Sequence, residues 1–133
     1  MALTWDDTLV MGIPELDEQH RELFARIDAL LEAIRGGSSR QEVARTLEFL
    51  GDYVREHFEA EEALMRAAAF PGLAQHEREH AELVRDLAAL AAEHRRDGPS
   101  PSLILRVNRR VVDWLRQHIY RTDRELAVFL KRR

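Results

Sequence analysis

Four segments of the chain carry apolar residues in alternating steps of three and four, and this pattern limits the possible folds more than any other feature. Such steps place the apolar side chains on one side of an α-helix, and that side must be buried. The pattern predicts helices over roughly 14–35, 40–68, 73–97 and 101–130. Four amphipathic helices joined by short loops favour an all-α fold, an up-down-up-down antiparallel four-helix bundle.

The breaks between the predicted helices contain Gly, Ser and Pro. An N-terminal arm over 1–13 precedes the first helix. Ser39 and Glu42 have the spacing of a capping box that begins the second helix. Ser100 as the N-cap and Pro101 at the first helical position begin the fourth helix. With these connections we expect one domain to cover the whole chain, 1–133, which is within the usual size of a single domain.

Composition excludes several classes of protein. The absence of cysteine removes disulfides, thiolate nucleophiles, iron–sulfur clusters and sulfur-based zinc sites. With 20 Lys and Arg against 24 Asp and Glu, the formal charge is -4, which argues against nucleic acid as a partner. There is no apolar run of the ~18–20 residues that cross a bilayer and no signal-peptide pattern at the N-terminus. We expect a cytoplasmic protein with no membrane span.

Histidines interrupt the apolar stripes of all four predicted helices. Burying a polar side chain costs a few kcal/mol unless it finds a partner. A single such histidine is most often a core residue that hydrogen-bonds a neighbour, whereas several in one interior are satisfied more simply by a metal. The polar residues on the stripes are His20, His57, Glu61, His76, His80 and His118.

The spacing of these residues supports a metal site. His57 and Glu61 are one helical turn apart, about 6 Å, as are His76 and His80, so that each pair can face a common centre. Imidazole and carboxylate without sulfur suit iron, manganese, zinc or copper. His94 lies about 21 Å beyond His80 along an ideal helix, too far to share the site, and we expect it on the surface.

Periodicity alone does not decide which carboxylate, Asp123 or Glu125, accompanies His118 in the site. Asp123 is five residues on, which rotates it about 140° from His118 on an ideal helix. Glu125 is better in phase but lies two turns away, roughly 10 Å along the axis.

These residues, taken in order, resemble the hemerythrin family, and more narrowly its single-domain bacterial members. The resemblance runs over nearly the whole chain and is carried by Trp5-Asp6, Asp17-Glu18-Gln19-His20, His57-x-x-x-Glu61, His76-x-x-x-His80 and His118-x-x-x-x-Asp123. It implies a non-haem centre of two iron ions per chain with an oxo or hydroxo bridge.

The resemblance also implies which residues hold each iron. One iron would be held by three histidines, His76, His80 and His118, and the other by two, His20 and His57. Two carboxylates, Glu61 and Asp123, would bridge the pair. It thus favours Asp123 over Glu125, and we interpret the rotation of Asp123 as reaching the far side of the metal pair. Two six-coordinate irons offer about twelve positions, of which about one stays open, on the two-histidine iron.

The family-matching positions around the open site are apolar: Leu23, Phe58, Trp114, Leu115 and Ile119. The same side chains suit plain core packing. None is an acid that would help to break an O–O bond, and a dry pocket slows the escape of reduced oxygen. We therefore expect reversible dioxygen binding, for storage or delivery to an oxygen-using enzyme, rather than catalysis. The alternatives are an oxygen or redox sensor with a separate signalling partner, and a di-iron enzyme with weak peroxidase or nitric-oxide- or iron-handling activity.

Overall fold

The computed structural model describes residues 7–98 and 100–132, and four long helices make up most of it. A short 3₁₀ turn, Asp7–Leu9, precedes them. The first three helices are α1 (Pro14–Arg35), α2 (Arg40–Ala67) and α3 (Leu73–Asp97). The fourth, α4, covers 101–131. Trp5 and Asp6 of the predicted arm lie outside the described residues.

The fourth helix is not uniform. Two π-helical segments, Asn108–Asp113 and His118–Asp123, interrupt its α-helical stretches. In a π-helix the backbone hydrogen bond joins residues i and i+5, so each turn holds an extra residue. Such a turn changes which side chains of the helix face the core.

The apolar stripes of neighbouring helices meet in one core, and α4 packs against both α3 and α1, which closes the bundle. Leu23, Leu50, Leu83 and Val107, one from each helix, are all fully buried. Burying such a side chain contributes roughly 1.5–3 kcal/mol. The predicted all-α four-helix bundle is confirmed. None of the helices in 7–98 and 100–132 is long and apolar enough to cross a membrane.

Both predicted helix starts have the expected caps. The Ser39 hydroxyl oxygen accepts a hydrogen bond from the backbone N–H of Glu42 at 3.1 Å. The Ser100 hydroxyl oxygen accepts one from the backbone N–H of Leu103 at 3.2 Å. Each cap satisfies a backbone donor that the first turn of a helix leaves without a partner.

Two buried polar side chains join segments at the ends of the bundle. Asp17 accepts hydrogen bonds from the backbone N–H groups of Met11 at 2.9 Å and Gly12 at 3.1 Å, which holds the segment before α1. His94 is 1% exposed, and its Nε2 donates to the backbone carbonyl of Arg40 at 2.9 Å. The expectation of a surface position for His94 is wrong because the start of α2 covers this side of α3.

Candidate metal centre

Seven polar side chains meet inside the bundle, although they are far apart in the chain. All four helices contribute, and none of the seven is more than 4% exposed. Their ligand atoms form two overlapping groups, each within 4.8 Å: Glu61, His76, His80, His118 and Asp123; His20, His57 and Glu61. The structure therefore brings together every residue that the sequence predicts as a ligand.

Glu61 belongs to both groups. Its Oε1 lies 2.8 Å from Nε2 of His76 and 3.2 Å from Nε2 of His80. Its Oε2 lies 3.3 Å from Nε2 of His57 on the other side. The two oxygens of this carboxylate thus face different histidines, as a bridge between two metal ions requires.

Asp123 spans the two groups in the same way. Its Oδ1 is 2.6 Å from Nε2 of His76 and 3.1 Å from Nε2 of His118. Its Oδ2 is 3.1 Å from Nε2 of His20. The second carboxylate therefore also reaches histidines of both groups.

The π-helical segment His118–Asp123 explains how Asp123 reaches this position. Because the wider turn returns residue i+5 to the side of residue i, Asp123 faces the core together with His118. The 140° rotation of Asp123 from His118 is wrong, since it assumes an ideal α-helix. The expected reach of Asp123 beyond His118 is found, because its Oδ2 lies beside His20 of the other group. Glu125, the other carboxylate considered, is exposed.

The arrangement of ring nitrogens fits a cation. The Nδ1 of His80 lies 2.7 Å from a Glu62 oxygen, and the Nδ1 of His118 lies 2.8 Å from a Glu79 oxygen. A carboxylate only accepts, so each Nδ1 carries the hydrogen and a neutral ring keeps a lone pair on Nε2. The two Nε2 atoms are 3.2 Å apart. Two such lone pairs repel each other unless a proton or a metal ion lies nearby.

The buried carboxylates also need positive charge. Both oxygens of Glu61 lie near ring nitrogens, but among the described residues no N–H group points at them in hydrogen-bonding geometry. Carboxylates removed from water are costly unless they are paired or bind a metal. The residues present therefore fit a metal ion bound by nitrogen and oxygen.

Protons supply this charge when only the protein groups are considered. Burial lowers the pKa of His20, but the carboxylates of Asp123 and Glu61 outweigh it and raise that pKa to about 9. The same causes raise the pKa of His76 to about 9. For His118, burial is outweighed chiefly by the charge of Asp123, and its pKa is about 10. A metal ion would displace these protons, so that its binding depends on pH.

Aromatic rings cover the three-histidine side of the cluster. Phe58 stacks on His80, with the ring centroids 3.7 Å apart and the planes 3° from parallel. Trp114 stacks on His118 at 4.6 Å and 11°, and its indole N–H donates to Glu82 at 3.3 Å. Two residues predicted to line the open site thus pack against the three-histidine group. The other three predicted lining residues are fully or almost fully buried: Leu23, Leu115 and Ile119.

Three further residues contact the histidines, and the sequence predicts none of them as a hydrogen-bond partner. Each accepts a hydrogen bond from a histidine Nδ1: Gln19 from His57, Glu62 from His80 and Glu79 from His118. The available signal is that each follows or precedes a predicted ligand directly. Neighbouring residues on a helix point about 100° apart, so these side chains have the pattern of an ordinary solvent-facing surface.

A four-helix bundle with a buried histidine from every helix and two buried carboxylates in one cluster defines a helical metal-binding protein. A family model described as hemerythrin HHE cation binding domain matches residues 11–130. The chain belongs to the hemerythrin family, which confirms the resemblance found in the sequence.

Relatives of the chain have names from the same family. A bacteriohemerythrin of Stenotrophomonas maltophilia (strain R551-3) is 34% identical over 86 residues, which are 65% of this chain and 56% of the relative. A hemerythrin-like protein of Naegleria gruberi is 38% identical over 86 residues, 65% of this chain and 66% of the relative. A bacteriohemerythrin of Methylococcus capsulatus (strain ATCC 33009 / NCIMB 11132 / Bath) is 32% identical over 108 residues, which are 81% of this chain and 80% of the relative. The matched part thus spans less than two thirds of the first two relatives.

Proposed function

We propose that this chain binds dioxygen reversibly at a centre of two iron ions, for storage or delivery to an oxygen-using enzyme. The observation that carries the proposal is the convergence of imidazoles and two spanning carboxylates in a buried cluster. Nitrogen and oxygen ligands without sulfur suit non-haem iron. When bound, the two irons would supply the electrons that dioxygen takes up on binding and returns on release.

The protein would hold the two irons unequally. Glu61 and Asp123 would bridge them, with three histidines on one side and two on the other: His76, His80 and His118; His20 and His57. A metal that binds an external ligand keeps an open coordination position, whereas a structural metal is closed. The side with two histidines has fewer protein ligands, and we place the dioxygen there.

The surroundings of the cluster favour binding over cleavage of dioxygen. Within the part of the chain that the structure describes, the buried carboxylates are Asp17, Glu61 and Asp123. Asp17 is engaged by two backbone N–H groups, and the other two belong to the cluster. None of them remains as a free acid to protonate oxygen. Buried Leu115 and Ile119 are apolar, which favours a pocket without water.

An absorption spectrum of the reduced protein before and after air tests the proposal. A charge-transfer band that appears with air and disappears under argon supports reversible binding, and metal analysis should find about two irons per chain. Irreversible oxidation with turnover of peroxide would indicate an enzyme instead. A partner protein captured only in air would indicate a sensor. A protein that binds no iron would refute the proposal.

A matched pair of variants in α2 links the spectrum to the cluster. Glu61→Gln removes the charge that faces both groups of histidines, and we expect it to lose iron and the band. Glu59→Gln changes an exposed carboxylate two residues earlier and should retain both. Equal spectra for the two variants would contradict the role of Glu61.

A further inference from the structure

The outer ring nitrogens of two histidines in the three-histidine group, His80 and His118, donate to carboxylates. The Nδ1 of His80 donates to the carboxylate of Glu62 at 2.7 Å, and that of His118 donates to Glu79 at 2.8 Å. The Thr122 hydroxyl also donates to the same Glu79 oxygen at 2.8 Å, which fixes the carboxylate. Two of the three histidines on this side therefore donate a hydrogen bond to a negatively charged group.

The two-histidine group has a neutral acceptor in the corresponding place. The Nδ1 of His57 donates to the side-chain oxygen of Gln19 at 2.6 Å. This hydrogen bond is as short as those to the carboxylates, so these hydrogen bonds differ mainly in the charge of the acceptor. An amide orients the ring without adding the negative charge that a carboxylate would bring.

This difference has a consequence for metal binding. A carboxylate that accepts from a ligating imidazole orients the ring and makes its free nitrogen a stronger donor. Loss of such an outer partner lowers metal affinity by about 10–100-fold. We infer that Glu62 and Glu79 are positioning residues that make the three-histidine side the tighter site, so that metal fills it first. The inference rests on the proposed two-metal centre.

The number of ligands alone favours the same order, and the experiment must therefore isolate the outer carboxylates. Glu62→Gln and Glu79→Gln keep an oxygen that can accept from Nδ1 and remove only the charge. Gln19→Glu adds a charge behind His57 in a side chain of the same shape. The first two variants should weaken the first site, whereas the third should tighten the second site.

Titration of the metal-free 133-residue chain with Co²⁺ provides a readout that does not involve dioxygen. Paramagnetically shifted NMR signals should come from three histidine rings at one equivalent and from five at two equivalents. Competition with a chelator should show the first dissociation constant raised about 10-fold in Glu62→Gln and in Glu79→Gln, the lower end of that range, because the hydrogen bond stays and only the charge is lost. In Gln19→Glu the second dissociation constant should fall, and the difference in affinity between the two sites should become smaller.

Glu77→Gln is the control on the same helix. Glu77 lies between His76 and His80 in sequence but pairs with Arg66 at 3.2 Å, outside the cluster. This variant should bind both Co²⁺ ions as the unaltered protein does.

The outcomes separate the inference from the proposed function. If the unaltered chain does not bind two Co²⁺ ions, the two-metal centre itself is wrong. If it binds two and the affinities of Glu62→Gln and Glu79→Gln are unchanged, only the role of the outer carboxylates is wrong. Should those two variants fail to fold, Gln19→Glu decides: an unchanged second dissociation constant overturns the inference.

Discussion

Replacing Asp123 by Asn tests how the cluster is held together in the protein without metal. Asp123 is 1% exposed, and its oxygens lie 2.6 Å from His76, 3.1 Å from His20 and 3.1 Å from His118. Asparagine has nearly the same shape but no charge. The substitution therefore removes a negative charge and leaves its three partners in place.

The expected loss follows from the protonation of those partners. The pKa values of His20 and His76 are raised to about 9 and that of His118 to about 10, from an ordinary value of 6.5. For His20 alone this difference is worth roughly 3 kcal/mol of stability. A raised pKa contributes stability that is complete below pH 6.5 and is lost as the pH rises through the folded value.

At about pH 6 all three histidines are charged, and Asp123→Asn leaves them short of one counter-charge. Breaking a buried ion pair by removing one partner costs about 3–5 kcal/mol, which is the loss of unfolding free energy that we expect. Well above pH 10 the histidines, including His118 with its pKa of about 10, are neutral and no longer need the charge. The loss should therefore shrink strongly between these two pH values.

Urea unfolding with a chelator present, followed by circular dichroism, measures both values. Glu125→Gln is the control, since it alters an exposed carboxylate two residues later in the same helix. Its effect should stay within about 0.5 kcal/mol. A loss for Asp123→Asn below about 1 kcal/mol at low pH, or an equal loss at both, would refute the reasoning.

Three further outcomes can be measured. Removal of iron by a chelator should clearly lower the melting temperature, because the folded state loses the free energy of metal binding. Zinc in the isolated protein or an unchanged melting temperature would contradict the di-iron centre. Metal affinity, measured by chelator competition across pH, should begin to fall as the pH drops below about 9 rather than about 6.5, since His20 and His76 hold their protons more tightly than free imidazole. Leu115→Ala should admit water to the pocket and hasten the decay of the oxygenated absorption band in air, whereas Glu77→Gln should not; unchanged decay would reduce Leu115 to core packing.

The four helices could be predicted because their signals are local. Apolar periodicity, the Ser39 and Ser100 caps and the Gly- and Pro-containing breaks each depend on a few consecutive residues. The spacing of His57 from Glu61, and of His76 from His80, likewise places two side chains on one helix face without reference to the rest of the fold. The order of these motifs along the chain then led to the family.

What the sequence could not decide depends on contacts between helices. Whether His94 is exposed was settled by the start of α2, which lies 54 residues away in the chain and accepts its hydrogen bond. The outer partners Glu62 and Glu79 look like surface charges until another helix brings His80 or His118 beside them.

The position of Asp123 shows the same division most clearly. The residues alone do not decide between Asp123 and Glu125, because on an ideal α-helix Asp123 points about 140° away from His118. The π-helical segment His118–Asp123 returns it to the core, where histidines of α1, α3 and α4 surround it. Helix periodicity thus depends only on residues that are close in sequence. The register of a widened turn and the pKa values of the cluster, in contrast, arise only when four helices bury their polar groups together.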